Sequence, residues 1–237
     1  MSLRQSQHPL ICQIADTIEA TWQQHLPLSP YHLPEDLGYV EGRLEGEKVT
    51  IENACYQAQP FRKLHLELAR VGNSLDILHC VMFPDPSYRL PVFGTDLVGS
   101  RGQLSAAIVD LSPIGDDLGE GYRQALTALP KFEFSQPRSL PDWADIFSDF
   151  CLFVRLETEP EQQQFLQTMK GYLEVHCQQA IAAKPVSAAD RENVLQDQRY
   201  YCTQQRKNDK TRRVLEKAFG TEWADRYMTT VLFDDPQ

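Results

Sequence analysis

Apolar residues recur along this chain with two different periods, and the changes between them divide it into three stretches. Leu10, Ile11, Ile14, Ile18 and Trp22 fall at helical spacing, which predicts an amphipathic helix from about Pro9 to His25. Pro27, Pro30 and Pro34 break that pattern. From Gly38 the period drops to two. Gly38 to Leu44 and Val49 to Tyr56 read as strands joined across Glu45-Gly46-Glu47, and two further β-hairpins follow between Phe61 and Ser112. Pro113 to Gly121 reads as a loop, Tyr122 to Leu129 as a short helix, Phe132 to Asp149 as irregular and Cys151 to Leu156 as a seventh strand.

Beyond that strand the helical period returns. Phe165, Met169, Tyr172, Leu173 and His176 form one long stripe, and Ser187-Ala188-Ala189-Asp190 has the form of a capping box. Gly220 suits the end of one helix, and Thr221 the cap of the last, which carries Trp223 and Tyr227. A sheet meander bracketed by helices at both chain ends predicts an α+β fold: a three-layer α/β/α sandwich with a central, mostly antiparallel sheet of about seven strands. Residues 1–237 form a single domain in this reading, with residues 1–8 as a flexible lead.

The hairpins put polar groups where a sheet should bury hydrocarbon. Leu75, Ile77, His79, Val81 and Phe83 share one face, apolar but for the imidazole. On the preceding strand His65 and Glu67 share a face, and Leu64, Leu66 and Leu68 take the other. A three-residue loop Gly72-Asn73-Ser74 places Glu67 opposite His79; a two-residue Gly72-Asn73 turn would pair His79 with Leu66. The next hairpin, closed by Gly99-Ser100-Arg101-Gly102, is expected to put Asp96 opposite Ser105. A lone strand histidine is more often a hydrogen-bonded core residue, and a lone carboxylate usually faces water. Glu67, His79 and Asp96 together on one face read as a proton-handling pocket.

Charge and cysteine content narrow the setting. A formal charge of −10 argues against nucleic acid as partner. No apolar run is long enough to span a membrane, and Met1-Ser2-Leu3-Arg4-Gln5-Ser6-Gln7 lacks a secretory apolar region. Cys12, Cys55, Cys80, Cys151, Cys177 and Cys202 are scattered without a Cys-x-x-Cys and are expected to be reduced thiols in a cytoplasmic protein. There is no glycine-rich nucleotide loop and no nucleophile elbow. His79-Cys80 and His176-Cys177 are poor metal candidates, because zinc needs three or four converging ligands and adjacent strand residues such as His79 and Cys80 point to opposite faces. Lys207-Asn208-Asp209-Lys210-Thr211-Arg212-Arg213 is a dense basic run in an acidic chain, readable as a solvated helix face or as a patch for carboxylates or an acidic protein. Arg62, Lys63, Arg70 and Arg101 are candidates to extend it.

Four segments carry a resemblance: Leu37-Gly-Tyr-Val-Glu-Gly-Arg-Leu-Glu-Gly-Glu-Lys48, Phe61-Arg-Lys-Leu-His-Leu-Glu-Leu68, Leu75-Asp-Ile-Leu-His-Cys-Val-Met-Phe-Pro84 and Lys207-Asn-Asp-Lys-Thr-Arg-Arg-Val-Leu-Glu-Lys-Ala-Phe-Gly220. From about Pro30 to Phe233 the chain resembles the ferredoxin-dependent bilin reductases of cyanobacteria. The resemblance implies a monomeric enzyme without bound metal, flavin or nicotinamide. It implies four-electron reduction of biliverdin IXα to phycocyanobilin through bilin radicals, with reduced ferredoxin as external donor. The family's proton-handling positions fall on Glu67, His79 and Asp96, its bilin-propionate contacts on Arg138 and Lys210, and further pocket residues on His65, Ser105, Trp143 and Asn208. Thr95 stands where the family leads one to expect Cys, and Ala54 where it leads one to expect Arg; these bear on pocket polarity and surface charge. A sister reductase with another product, such as phycoerythrobilin, and a non-catalytic bilin carrier are the rival readings.

Overall fold

The computed structural model describes residues 3–237. A 3-10 turn, Arg4–Ser6, precedes helix α1, Pro9–His25. Strand β1, Ser29–Pro30, and the single turn α2, Glu35–Gly38, lead into a run of strands: β2 Tyr39–Leu44, β3 Glu47–Ala58, β4 Phe61–Val71, β5 Leu75–Pro84, β6 Val92–Ser100 and β7 Gln103–Ser112. Helix α3, Glu120–Thr127, then β8, Gln136–Pro137, and β9, Leu152–Leu156, complete the middle of the chain. Four helices follow: α4 Glu159–Ala182, α5 Ala188–Gln205, α6 Asp209–Phe219 and α7 Thr221–Tyr227, the last running into a π-helical turn Met228–Leu232.

All strands join one antiparallel sheet in the order β1-β3-β4-β5-β6-β7-β9-β8, with β2 also pairing along β3. The expected seven strands are the seven long ones. The two extra are two-residue pairings, too short for any period to register.

Each face of the sheet carries its own helical layer. Leu64, Leu66, Leu68, Leu78, Met82, Phe93 and Leu97 pack beneath Ile11, Ile14, Ile18 and Trp22 of α1 and Phe165, Met169 and Leu173 of α4. Ile51, Ala69, Val71, Val81, Phe83 and Val92 point the other way, toward Val194, Tyr201, Leu215, Tyr227, Met228 and Val231 from the C-terminal helices. The sandwich is therefore as expected. Strand β4 shows its consequence most clearly: both of its faces are covered, and its polar positions Lys63, His65 and Glu67 are as buried as its leucines.

Local chemistry sets the helix ends. Pro9 opens α1, where the missing N–H costs nothing, and His8 Nδ1 accepts from the Leu10 amide at 3.2 Å. Helix α4 starts on a reciprocal capping box between Thr158 and Glu161, which the sequence reading passed over. Ser187 caps α5 by accepting from the Asp190 amide. Thr221 makes no capping bond, contrary to expectation: Gly220, at φ 90°, ends α6 and begins α7 itself. The lead of residues 1–8 also departs from its expected flexibility from Leu3 onward. Leu3 is buried, and the Gln7 amide donates to the carbonyls of Ala69 at 2.8 Å and Ile77 at 3.1 Å.

Trp22 is the largest fully buried side chain of the first layer, its Nε1 donating to Met82 Sδ at 3.3 Å and its ring set edge-on to Tyr56. Trp22→Ala should cost about 3–5 kcal/mol, transfer and cavity contributions together. In urea titrations this should appear as a lowered midpoint with an unchanged slope.

Candidate functional site

The loop Gly72-Asn73-Ser74 has three residues, Gly72 taking the left-handed turn at φ 50°, and Glu67 lies across from His79 as the longer of the two loops predicts. His79 in turn pairs with Asp96, and Glu67 with Asn53 on its other side. Four strands thus present one row, Asn53–Glu67–His79–Asp96, on the face covered by the C-terminal helices.

The β6–β7 hairpin corrects the expectation for Ser105. Its turn is only Arg101-Gly102, both at positive φ, so the strands pair one step further into the turn at Ser100 and Gln103. A bulge between Val98 and Gly99 then leaves Ser105 as the extra residue of β7. Asp96 sits opposite Ile108, not Ser105. The Ser105 hydroxyl donates to Val98 O at 3.1 Å, and its carbonyl accepts from the guanidinium of Arg138.

Within the row, His79 Nδ1 lies 2.5 Å from Asp96 Oδ1, while His79 Nε2 is buried without a partner. Burial acts to lower the His79 pKa, but the charge and hydrogen bond of Asp96, with Glu67 nearby, outweigh it and raise the imidazole above its ordinary value. Asp96 keeps its side chain 48 % exposed. Glu67 is buried. Burial raises its pKa, opposed by His79 and by the Tyr227 hydroxyl, 2.6 Å from Oε2.

His65 is held in one tautomer. The Asn53 amide donates Nδ2 to Leu37 O at 2.8 Å, which turns Asn53 Oδ1 toward His65 Nε2, also at 2.8 Å. An oxygen there requires a proton on Nε2. Full burial, with the like charges of His79 and Lys63, takes the His65 pKa well below the ordinary value, so the ring is neutral with a bare Nδ1. The His65 and His79 rings meet edge to face at 5.7 Å, and Phe233 closes over His79 at 5.6 Å.

The remaining expected residues sit farther out. Trp143 is half-buried beside Phe147 in the loop before β9. Arg138 is exposed and stacks on Phe153 at 5.1 Å. Asn208 spends its side-chain oxygen capping α6, accepting from the amides of Lys210 and Thr211, and Lys210 is exposed. Half of the basic run is paired: Arg212 with Asp225 and Arg213 with Asp209, while Lys207 and Lys210 make no ion pair among the described residues. The proposed extension of this patch fails in part. Lys63 is fully buried, bonded to Val231 O and Asp234; Arg62 also pairs with Asp234, and Arg70 with Asp76. Thr95 is buried on the opposite face from Asp96, with its hydroxyl on Ile108 O at 2.8 Å, and Ala54 packs against the first helical layer. Neither departure from the family pattern touches the polar row.

Three participants escaped the sequence reading. Asn53 had a readable signal, as the polar break in the face Val49–Ile51. Tyr227 had none, since 160 residues separate it from Glu67. The third is Asp110, one strand beyond Asp96 on the same face. Its buried carboxylate accepts from Ser112, from the Ser148 hydroxyl at 2.5 Å and from the Ser148 amide at 3.1 Å, tying down the loop that carries Trp143. Among the described residues no three His, Cys, Asp or Glu converge as metal ligands, and no helix is long and apolar enough to cross a membrane.

The fold is thus an antiparallel sheet between two helical layers, with Glu67, His79 and Asp96 in register on one face. The model of the ferredoxin-dependent bilin reductase family matches residues 15–234, and the chain belongs to that family. It is 64 % identical over 232 residues to the phycocyanobilin:ferredoxin oxidoreductase of Trichodesmium erythraeum, covering 97 % of this chain and 95 % of that one. It is 60 % identical over 240 residues to the protein of the same name from Synechococcus elongatus, covering 100 % and 97 %. The crystal structure of tomato phytochromobilin synthase in complex with biliverdin shares the fold, with a TM-score of 0.74 at 19 % identity over 94 % of this chain and 82 % of that one.

Burial pushes the Asp110 carboxyl up to about 6 against its hydrogen bonds. A pKa raised on folding contributes stability below the unfolded value that is lost as pH rises through the folded one. Urea titrations should therefore show the wild type losing up to about 3 kcal/mol relative to Asp110→Asn between about pH 4 and 7.

Proposed function

We propose that this chain reduces biliverdin IXα by four electrons to phycocyanobilin, taking electrons singly from reduced ferredoxin and protons from the Asn53–Glu67–His79–Asp96 row. The observation that carries the reading is the alignment of three ionisable groups, in register, on one buried face. Ferredoxin dependence belongs to the family; the bilin, the product and the roles below are this proposal.

A conjugated tetrapyrrole becomes more basic with each electron it accepts, so a proton must follow from a nearby acid before the radical decays otherwise. Asp96, half exposed in the free protein, would be covered by a flat macrocycle lying against it and is placed to hand that macrocycle a proton. Asp96 is hydrogen-bonded to His79 Nδ1, and His79 Nε2, without a partner among the described residues, is left to meet the lactam edge of the bilin. Glu67, farther along the row, serves the vinyl group of the D ring. Neutral His65, with Trp143 and Asn208, lines the pocket. Ser105 contributes through its carbonyl, which anchors the Arg138 guanidinium. Arg138 and Lys210, both exposed, take the propionates at the rim, where the unpaired Lys207 and Lys210 also face an acidic donor. The protein acts as a cytoplasmic monomer with no cofactor of its own, its six cysteines free.

Each two-electron reduction draws one electron from each of two ferredoxins and takes up two protons. Asp96→Asn preserves volume but supplies no proton, so it should bind biliverdin, accept one electron and accumulate a long-lived bilin radical. Anaerobic incubation with biliverdin, ferredoxin and a reducing system, followed by absorbance, electron paramagnetic resonance and product chromatography, tests this. Full turnover by the variant, or a product other than phycocyanobilin from the wild type, refutes it. Glu67→Gln should bind biliverdin but lose vinyl reduction while reduction of the A ring continues. The same chromatography reads that outcome.

A further inference from the structure

We infer that Tyr227 is a positioning residue for Glu67, its hydroxyl holding Oε2 so that the transferable proton resides on Oε1. The inference rests on the proposed role of Glu67 and adds a residue from α7 to it. Tyr227 is fully buried, its OH 2.6 Å from Glu67 Oε2 and 3.0 Å from Asn53 Oδ1. A phenol carries one hydrogen and must choose between these acceptors. Asn53 Oδ1 is already served by His65 Nε2, and the amide cannot turn over without losing Leu37 O, so the phenolic hydrogen goes to the nearer carboxyl oxygen. Oε1 makes no hydrogen bond among the described residues and is left to carry the proton.

The same bond strengthens once Glu67 has delivered its proton, because the phenol then donates to a carboxylate. In the vinyl reduction two ferredoxins are oxidised, two electrons enter the bilin, and one of the two protons leaves Oε1 for carbon. Tyr227 loses and gains nothing; it lowers the energy of the carboxylate left behind. The ring is held for this task. It stacks on Trp223 at 4.8 Å and 13°, and Trp223 packs on Phe219 at 4.2 Å.

Several titratable groups share the surroundings of Glu67: Lys63 and His65 on its own strand, Cys55 on β3, His79 on β5, Asp96 on β6, and Asp234, which pairs with Lys63. Among the described residues none of these hydrogen-bonds Oε2, which takes its bond from Tyr227. Glu67 must be protonated to act, so vinyl reduction should fall as pH rises through its pKa, and removing the phenol donor should move that limb upward.

The test is the pH profile of the fraction of bilin reduced at the vinyl group, in single turnovers of full-length protein with biliverdin and reduced ferredoxin. Tyr227→Phe, which keeps the ring and its stacking, should displace the upper limb by about one pH unit, a tenfold change in ionisation constant. Replacing Tyr227 by 3,5-difluorotyrosine, a stronger donor of nearly native shape, should displace it downward, and it serves also if the phenylalanine variant fails to fold. A purely structural role would move neither limb. Glu67→Gln is the control: if it reduces the vinyl group at the wild-type rate, the role of Glu67 is wrong. If it stalls and the limb stays fixed with both Tyr227 replacements, the inference about Tyr227 alone is overturned.

Discussion

The antiparallel register of β3, β4, β5 and β6 is the constraint on which the rest depends. Side chains alternate with period two, so a slip of one residue between any neighbouring pair would send Glu67, His79 or Asp96 to the hydrocarbon face. The three-residue loop after Val71 and the direct pairings Glu67–His79 and His79–Asp96 lock that row. The leucines of β4 enforce it energetically. Leu64, Leu66 and Leu68 are buried beneath α1 and α4, each worth roughly 1.5–3 kcal/mol, and a slip would drive polar groups into their place.

Placing ionisable groups on a covered face is costly unless each finds a partner. Here the partners come from the C-terminal end of the chain. Asp234 meets Arg62 and Lys63, the Val231 carbonyl takes the Lys63 ammonium at 2.8 Å, and Arg206 donates to Phe233 O at 2.9 Å. These contacts hold Phe233 over His79 and Tyr227 against Glu67, so the layer that buries the row also tunes it. Asp96 alone of the row's ionisable groups is left half open.

Much of this was legible in residue order. The two periods separated sheet from helices, and alternation put His65, Glu67 and His79 on their correct faces. The expectation of a sheet covered on both faces holds for β4, whose polar side lies under the C-terminal helices. The Ser105 pairing failed because turn length and a bulge each moved the register, and neither leaves a hydrophobic signature. Asn208 was placed in the pocket by resemblance; its oxygen is engaged in capping α6. Folding brings Asp225 against Arg212 of the basic run, whereas Asp209, the partner of Arg213, lies within the run itself.

By itself the sequence determined the layered α+β architecture, the strand faces shared by His65 and Glu67 and taken by His79, and the family. Each is written in short-range periodicity or in contiguous blocks of residues. Tertiary structure alone decided what those groups are chemically. The tautomer of His65, the desolvation of Glu67 and the hydrogen bond on its Oε2 depend on Leu37, Asn53 and Tyr227. A proton's affinity for a side chain is fixed by whatever lies within a few ångströms, and those neighbours arrive from distant parts of the chain only when it folds.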